Sequence, residues 1–205
     1  MRLRMLLDFA FPPQCVYCNA LGAGLCAACT PPERTIHVRF PALVVTAFGA
    51  YDGALRAAVL AVKDGRRDVA ETLGQLLAPY VRRGSALVPV PTSRMRRRLR
   101  GFDGVTAIAA QAAEIAGADV VTALEHRAGD AQRGRSRLER LAARGRFICD
   151  PNRVAAKRVT LFDDVCTTGA TLRDCAGAIR AAGGSVEDAV VVAVTKSVSC
   201  KLNDG

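Results

Sequence analysis

Tryptophan is absent from this chain, tyrosine and methionine occur three times each, and histidine only twice. So few aromatics leave little on which a purine or pyrimidine ring could stack. Phe102, Phe147 and Phe162 are the candidates, and Phe162, inside an apolar run, reads as core. His37 and His126 are isolated, and each reads as a surface residue rather than a catalyst. No apolar stretch is long enough to cross a bilayer, which argues against a membrane span. The start, MRLRMLLDFAFPP, is basic and then apolar. Asp8 and the pair Pro12-Pro13 break that run and no small-residue cleavage site follows, so a secretory signal is not expected. Internal repeats, low-complexity tracts and a helix-turn-helix pattern are missing as well, which gives no support to a solenoid or a transcriptional regulator. The expected location is the cytoplasm, where thiols stay reduced and disulfides are not the usual fate of cysteine.

What is abundant is arginine. It carries almost all of the formal net charge of +10, and twelve arginines lie in residues 94–147 against six acidic residues. Such a balance attracts polyanions, either nucleic acid or small phosphorylated ligands, unless arginine merely replaces lysine in a GC-rich coding background.

Along the chain, apolar runs alternate with helical patterns. Strands are expected at 43–48, 86–90, 119–124, 158–162 and 188–195. Helices are expected from Gly53 to about Gly65, where Leu55, Val59 and Val62 share a face, and then over 69–81, 104–116 and 171–182. Residues 125–146 lack a clear period and read as a loop with some helix. Strands separated by helices and apolar on both faces predict an α/β fold, with a parallel sheet flanked by helices. The prolines at 31–32 close a cysteine-bearing unit, so two parts are expected: an N-terminal segment, 1–40, and the α/β domain, 41–205.

The most informative stretch is VTLFDDVCTTGAT, residues 159–171. An apolar strand runs into two carboxylates, Asp163 and Asp164. A turn of small and hydroxylated residues follows (Thr167, Thr168, Gly169, Ala170, Thr171), and then a helix. Ligands of open α/β sheets sit beyond the carboxyl ends of the strands, and a helix N-terminus with its free N–H groups suits a phosphate. Two carboxylates beside a phosphate need another partner, for which ribose hydroxyls and Mg²⁺ are the natural choices. The competing reading is a capped strand-to-helix turn. Cys166 in this turn reads either as a reactive thiol or as filling under the loop.

A second candidate is VPVPTSRMRRRLRGFD, residues 88–103. Its basic loop leaves the same strand edge as the acid pair, which favours a diphosphate site using Arg94 and Arg100. Arg96, Arg97 and Arg98 read as outward-facing and suited to nucleic acid. Lys63, by its position, is an ordinary cation at a helix C-terminus.

Cys15 and Cys18, then Cys26 and Cys29, form two C-x2-C pairs seven residues apart, the spacing of a closed tetrahedral Zn²⁺ site. The alternative is a pair of disulfides or buried thiols. Such a site is structural, supplying stability that a thirty-residue segment with little core lacks. Cys149, Cys175 and Cys200 show no ligand spacing and read as packing residues.

The run of strand, acid pair, Thr-Thr-Gly-x-Thr and helix resembles the signature of type I phosphoribosyltransferases. V-P-V-P with a basic loop and R-G-F, V-K-D-G around Lys63, and the N-terminal knuckle together resemble the ComF family, with Asp103 where that family usually has Asn. The resemblance implies that Asp163 and Asp164 are the catalytic pair, holding the 2- and 3-hydroxyls of 5-phosphoribosyl 1-diphosphate with Mg²⁺. It implies that Lys63 reaches the ligand's phosphates, that residues 167–171 wrap its 5-phosphate, and that Arg127, Gln132, Arg133 and Arg140 belong to a flexible loop closing over the diphosphate. The acceptor is not identified. The resemblance also carries a rival, a non-catalytic competence module that binds single-stranded DNA beside a helicase-like ATPase, with the knuckle and Arg96 to Arg98 as contacts.

Overall fold

Phe162, Leu161 and Val159 are fully buried, yet they belong to two separate cores, because successive side chains of a strand point to opposite faces. This strand lies at the centre of the computed structural model, which describes residues 12–32, 35–92, 101–127 and 145–196. The elements in chain order are β1 (Ile36–Phe40), β2 (Leu43–Ala50), α1 (Gly53–Lys63), α2 (Arg67–Leu77), β3 (Ala86–Pro89), α3 (Gly104–Ala116), β4 (Asp119–Val120), β5 (Leu124–His126), β6 (Phe147–Cys149), α4 (Pro151–Val154), β7 (Arg158–Cys166), α5 (Ala170–Ala181) and β8 (Ser185–Val194). A six-stranded sheet runs in the order β1-β2-β8-β7-β3-β4. Its pairings are parallel except β1 with β2, and β5 and β6 form a separate antiparallel hairpin.

Helices cover both faces. Leu55, Val59, Leu73 and Ile108 of α1, α2 and α3 pack on Phe162, Val190 and Val192. On the other face, Leu172, Cys175 and Ile179 of α5 pack on Leu161, Ala189 and Val191, with the hairpin's Leu124 and Phe147 joining them. The fold is therefore the expected α/β arrangement, a parallel sheet between helices. No described helix is long and apolar enough to cross a membrane.

The strands differ from expectation in three instructive ways. First, β7 continues four residues past Phe162, because β8 keeps pairing with it through Asp163↔Val191, Val165↔Ala193 and Cys166↔Val194. On its other side β3 stops opposite Phe162, where Val90 N–H still donates to Phe162 O at 2.8 Å. Pro89 and Pro91 have no N–H to give, and their nitrogens fall on the β4 side, past the end of that ladder. Second, the strand expected over 119–124 leaves the sheet after Val120 for the same reason, and Leu124–His126 pair instead with Phe147–Cys149. Third, Ile36–Phe40 is an edge strand whose turn was hidden, since Ala42, with φ 55°, stands where glycine or asparagine would signal it. The sheet thus begins at Ile36, within the stretch assigned by sequence to the N-terminal segment. The helix expected over 69–81 starts at Arg67 and tightens to a 3₁₀ turn at Ala78–Tyr80, where Pro79 lacks the donor a further α-turn requires.

The cysteine unit shares the helical core. Cys15 and Leu25 are buried against the α1–α3 layer, and a Cβ on Gly24 would sit 2.8 Å from Val69 N. Arg66 clamps this contact, donating to Gln14 O at 2.7 Å and to Asp68 at 2.6 and 2.8 Å.

Candidate functional site

Where β7 outruns β3, the sheet leaves an open crevice. The connection after β3 goes to α3 on one face and the connection after β7 to α5 on the other, the topology that places ligands in α/β sheets. A cleft of about 550 Å³ lies there, in the size range of small-molecule sites. Asp163, Asp164, Lys63 and Thr171 line it together with Thr92, His126, Arg146, Phe102 and Phe147.

Three elements bring the charged groups together. Asp164 Oδ2 lies 2.7 Å from Lys63 Nζ at the end of α1, so the helix's terminal cation reaches across the crevice. Asp163 Oδ1 accepts the Asp164 N–H at 2.8 Å. Burial, with Asp164 beside it, pushes the Asp163 carboxyl up to about 8. Burial and the neighbouring carboxylate thus oppose a full negative charge on Asp163, and the Lys63 ammonium works the other way.

Behind the pair, the Thr-Thr-Gly turn leads into α5. Gly169 has φ 70°, and a Cβ there would collide with the Phe40 ring beneath it. Gly169→Ala is therefore expected to lower stability by about 2–4 kcal/mol in urea denaturation, combining left-handed strain with overpacking. Thr168 Oγ1 lies 3.4 Å from Ala170 N–H, and among the described residues the amides of Thr171 and Leu172 have no acceptor. Cys166 is buried under the turn, and burial pushes its thiol up to about 11, which fits filling rather than reactivity.

The hairpin straps the cleft from above. His126 Nε2 lies 3.0 Å from Pro91 O on the β3 side. Arg146 Nε donates to Asp174 of α5 at 2.8 Å, and its second nitrogen is 3.4 Å from Thr171 Oγ1. Reading the sequence alone missed both. His126 looked isolated because its partners are far along the chain, and Arg146 was one arginine among many. Arg127 donates to Gly145 O and lines the groove between the hairpin and α5 rather than this cleft. Asp103 caps α3, accepting from Thr106 N–H at 3.2 Å, which gives this residue a structural role. Phe102 and Phe147 do line the cleft, while Phe162 is core. Arg94, Arg96, Arg97, Arg98, Arg100, Gln132, Arg133 and Arg140 lie outside the described residues, as does Cys200.

The four cysteines form one cluster, with ligand sulfurs all within 4.8 Å of one another and Cys18 and Cys26 at 3.6 Å. A tetrahedral Zn²⁺ with sulfurs at about 2.3 Å needs sulfur separations of about 3.8 Å, so the set fits. Burial opposes ionisation of Cys15, yet the N–H groups of Cys26, Cys18 and Tyr17 outweigh it and bring the thiol down to about 6. Cys29, hydrogen-bonded to Cys18, is pushed up to about 12, as expected where four thiols crowd together without a cation.

No family model matches the chain. A stretch of 44 residues is 54% identical to the orotate phosphoribosyltransferase of a Nocardioides species, covering 22% of this chain and 24% of that protein. The match thus spans about a quarter of the relative's length. Among solved structures, the chain is similar to the glutamine phosphoribosylpyrophosphate amidotransferase from B. subtilis (22% identity, TM-score 0.44, 60% of this chain and 26% of that one). It is similar also to the adenine phosphoribosyltransferase from Thermoanaerobacter pseudethanolicus (17%, 0.45, 68% and 77%) and to the orotate phosphoribosyltransferase from Aeropyrum pernix (19%, 0.34, 74% and 77%).

Proposed function

We propose that the chain binds 5-phosphoribosyl 1-diphosphate with Mg²⁺ in this cleft, as a phosphoribosyltransferase resembling the ComF family. The observation that carries the reading is the pair Asp163 and Asp164, held with Lys63 at the open edge of β7 and facing the cleft. In this reading the carboxylates accept hydrogen bonds from the ribose hydroxyls, and ligand binding draws Lys63 from Asp164 towards the diphosphate. Thr167, Thr168, Gly169, Ala170 and Thr171 surround the 5-phosphate, with the N-terminus of α5 supplying N–H donors. Arg146 adds a guanidinium beside Thr171, and Asp174 holds it in place. Mg²⁺ arriving with the diphosphate would face Asp163 and Asp164 and would supply positive charge to offset the negative charge developing on the leaving group. Residues 1–40 serve as a zinc-binding segment that lends strand β1 to the sheet, and 41–205 as the ligand domain. The 44-residue likeness to an orotate phosphoribosyltransferase supports the same reading. Arg94, Arg100, Gln132 and Arg133 join the site through the ComF resemblance, as does a service in DNA uptake or nucleotide metabolism.

The rival, a module for single-stranded DNA, draws little from the knuckle. Residues 12–32 carry no charged side chain, and a Zn²⁺ held by four thiolates has a net charge of −2. A surface of that kind offers a phosphate backbone no attraction.

Calorimetric titration with 5-phosphoribosyl 1-diphosphate tests the proposal. Binding is expected with Mg²⁺ and much weaker binding without it. Arg146→Gln should weaken it about 10- to 100-fold, the worth of a charge-assisted contact. Absence of heat with Mg²⁺ present sinks the reading.

A further inference from the structure

The reaction proposed above needs a base. An acceptor that attacks carbon 1 of the ribose through a nitrogen or oxygen bearing hydrogen must lose that proton. Among the described residues, the titratable side chains lining the cleft are Lys63, His126, Arg146, Asp163 and Asp164. Lys63 and Asp164, 2.7 Å apart in the protein alone, go to the diphosphate and to the ribose hydroxyls in the proposed reading. Arg146 is always cationic and is held by Asp174. Asp163 is occupied by the sugar in the proposed reading. That leaves the imidazole.

His126 is built for the task in two respects. Its Nε2 faces Pro91 O at 3.0 Å, and a carbonyl oxygen can only accept, so Nε2 carries the hydrogen. In the neutral ring Nδ1 is then the nitrogen with the free lone pair, and it has no partner among the described residues. The ring is also held in position. Phe147 packs on it with centroids 4.8 Å apart, and its partner Pro91 lies two residues past the end of β3, so the ring lines the same cleft as the acid pair.

From this geometry we infer that His126 is the general base of the site, accepting at Nδ1 the proton of a protic acceptor nucleophile. The inference rests on the proposed binding of 5-phosphoribosyl 1-diphosphate. The acceptor's lone pair forms the new bond to carbon 1, and the bond from carbon 1 to the diphosphate oxygen breaks with its electron pair leaving on the diphosphate. The acceptor's proton passes to Nδ1 and the imidazolium returns it to water. The substrate class is thereby narrowed to neutral N–H or O–H nucleophiles, as against acceptors that arrive already ionised. Lys63, Arg146, Asp163 and Asp164 line the same cleft as the ring, and Glu125, Asp150 and Arg153 line a second cavity that the ring also borders.

The discriminating variant is His126→Gln. Glutamine places an N–H donor the same number of bonds from the backbone as Nε2, so the link to Pro91 O is kept while the Nδ1 lone pair is removed. The reaction followed is release of inorganic diphosphate from 5-phosphoribosyl 1-diphosphate and Mg²⁺, with water and then ammonia as the acceptor. His126→Gln should lower kcat about 100-fold or more, leave the calorimetric affinity for the diphosphate sugar unchanged, and abolish the acid limb of the pH–rate profile. His126→Gly should regain part of the rate with added imidazole. The chain has two histidines, so His37 serves as an internal control in imidazole NMR. Added ligand should move the His126 signals and leave those of His37 in place. Ligand binding without diphosphate release by the unaltered protein, or equal rates for His126→Gln, overturns this inference and leaves the binding reading standing. Absence of ligand binding removes both.

Discussion

Asp163→Asn combined with Asp164→Asn is expected to abolish Mg²⁺-dependent binding of 5-phosphoribosyl 1-diphosphate, while Asp163→Asn alone makes the protein more stable at pH 8. The two effects have one cause. The strand edge that opens the crevice also half-buries Asp163 and sets it next to Asp164, and its carboxyl rises to about 8. A carboxyl raised from about 4 in the unfolded chain gives stability that is complete below about pH 4 and is lost as pH climbs towards 8. Asparagine keeps an acceptor for the Asp164 N–H and removes the titration. Its advantage should be about 1–3 kcal/mol at pH 8 after screening and should vanish near pH 4. Urea denaturation at pH 5 and pH 8.5 measures this, and a difference that does not change with pH would show that Asp163 is well solvated. Ligand binding goes the other way, because amides neither accept ribose hydroxyls as strongly nor hold Mg²⁺. A loss of at least 100-fold in calorimetry is expected, two charge-assisted contacts being removed together.

Removal of the metal is expected to have the second large effect. Metal analysis of purified protein should give one Zn²⁺ per chain, and chelation or Cys15→Ser should cost about 3–5 kcal/mol, with Tm falling by about 10 °C. The size follows from what the knuckle buries. Cys15 and Leu25 are 1% and 2% exposed and complete the layer formed by α1, α2 and α3. Without the metal, four thiols have no reason to stay together, and the turn that puts Leu25 into that layer is lost. The loss should reach the cleft too, because Arg66, which holds the knuckle, lies three residues after Lys63. Metal binding should weaken as pH falls, since protons compete with the metal for the thiolates. Unchanged thermal unfolding after chelation would mean that the α/β core does not depend on the knuckle.

The candidate site was legible in the sequence where its chemistry is local. The acid pair, the hydroxyl-lined turn and α5 follow one another within thirteen residues, so strand, ligand groups and helix start could be read as one unit. The cysteine pairs were legible for the same reason, since C-x2-C fixes two sulfurs on one side of a turn whatever surrounds it. His126 and Arg146 were not legible. Each acquires its place from a partner on another element: Pro91, 35 residues away, for His126, and Asp174, 28 residues away, for Arg146. Edge strand β1 escaped because its turn uses Ala42 rather than glycine.

Residue order alone determined the α/β alternation, the acid pair ahead of a hydroxyl-lined turn and the cysteine spacing, all of them properties of a few neighbouring residues and their periods. Tertiary structure decided that β7 outlasts β3, that Lys63 meets Asp164, and that the hairpin lays an imidazole and a guanidinium over the opening. Those outcomes depend on which strands lie side by side and where a proline ends a ladder. Packing of distant segments settles such matters, and no short window of sequence contains it.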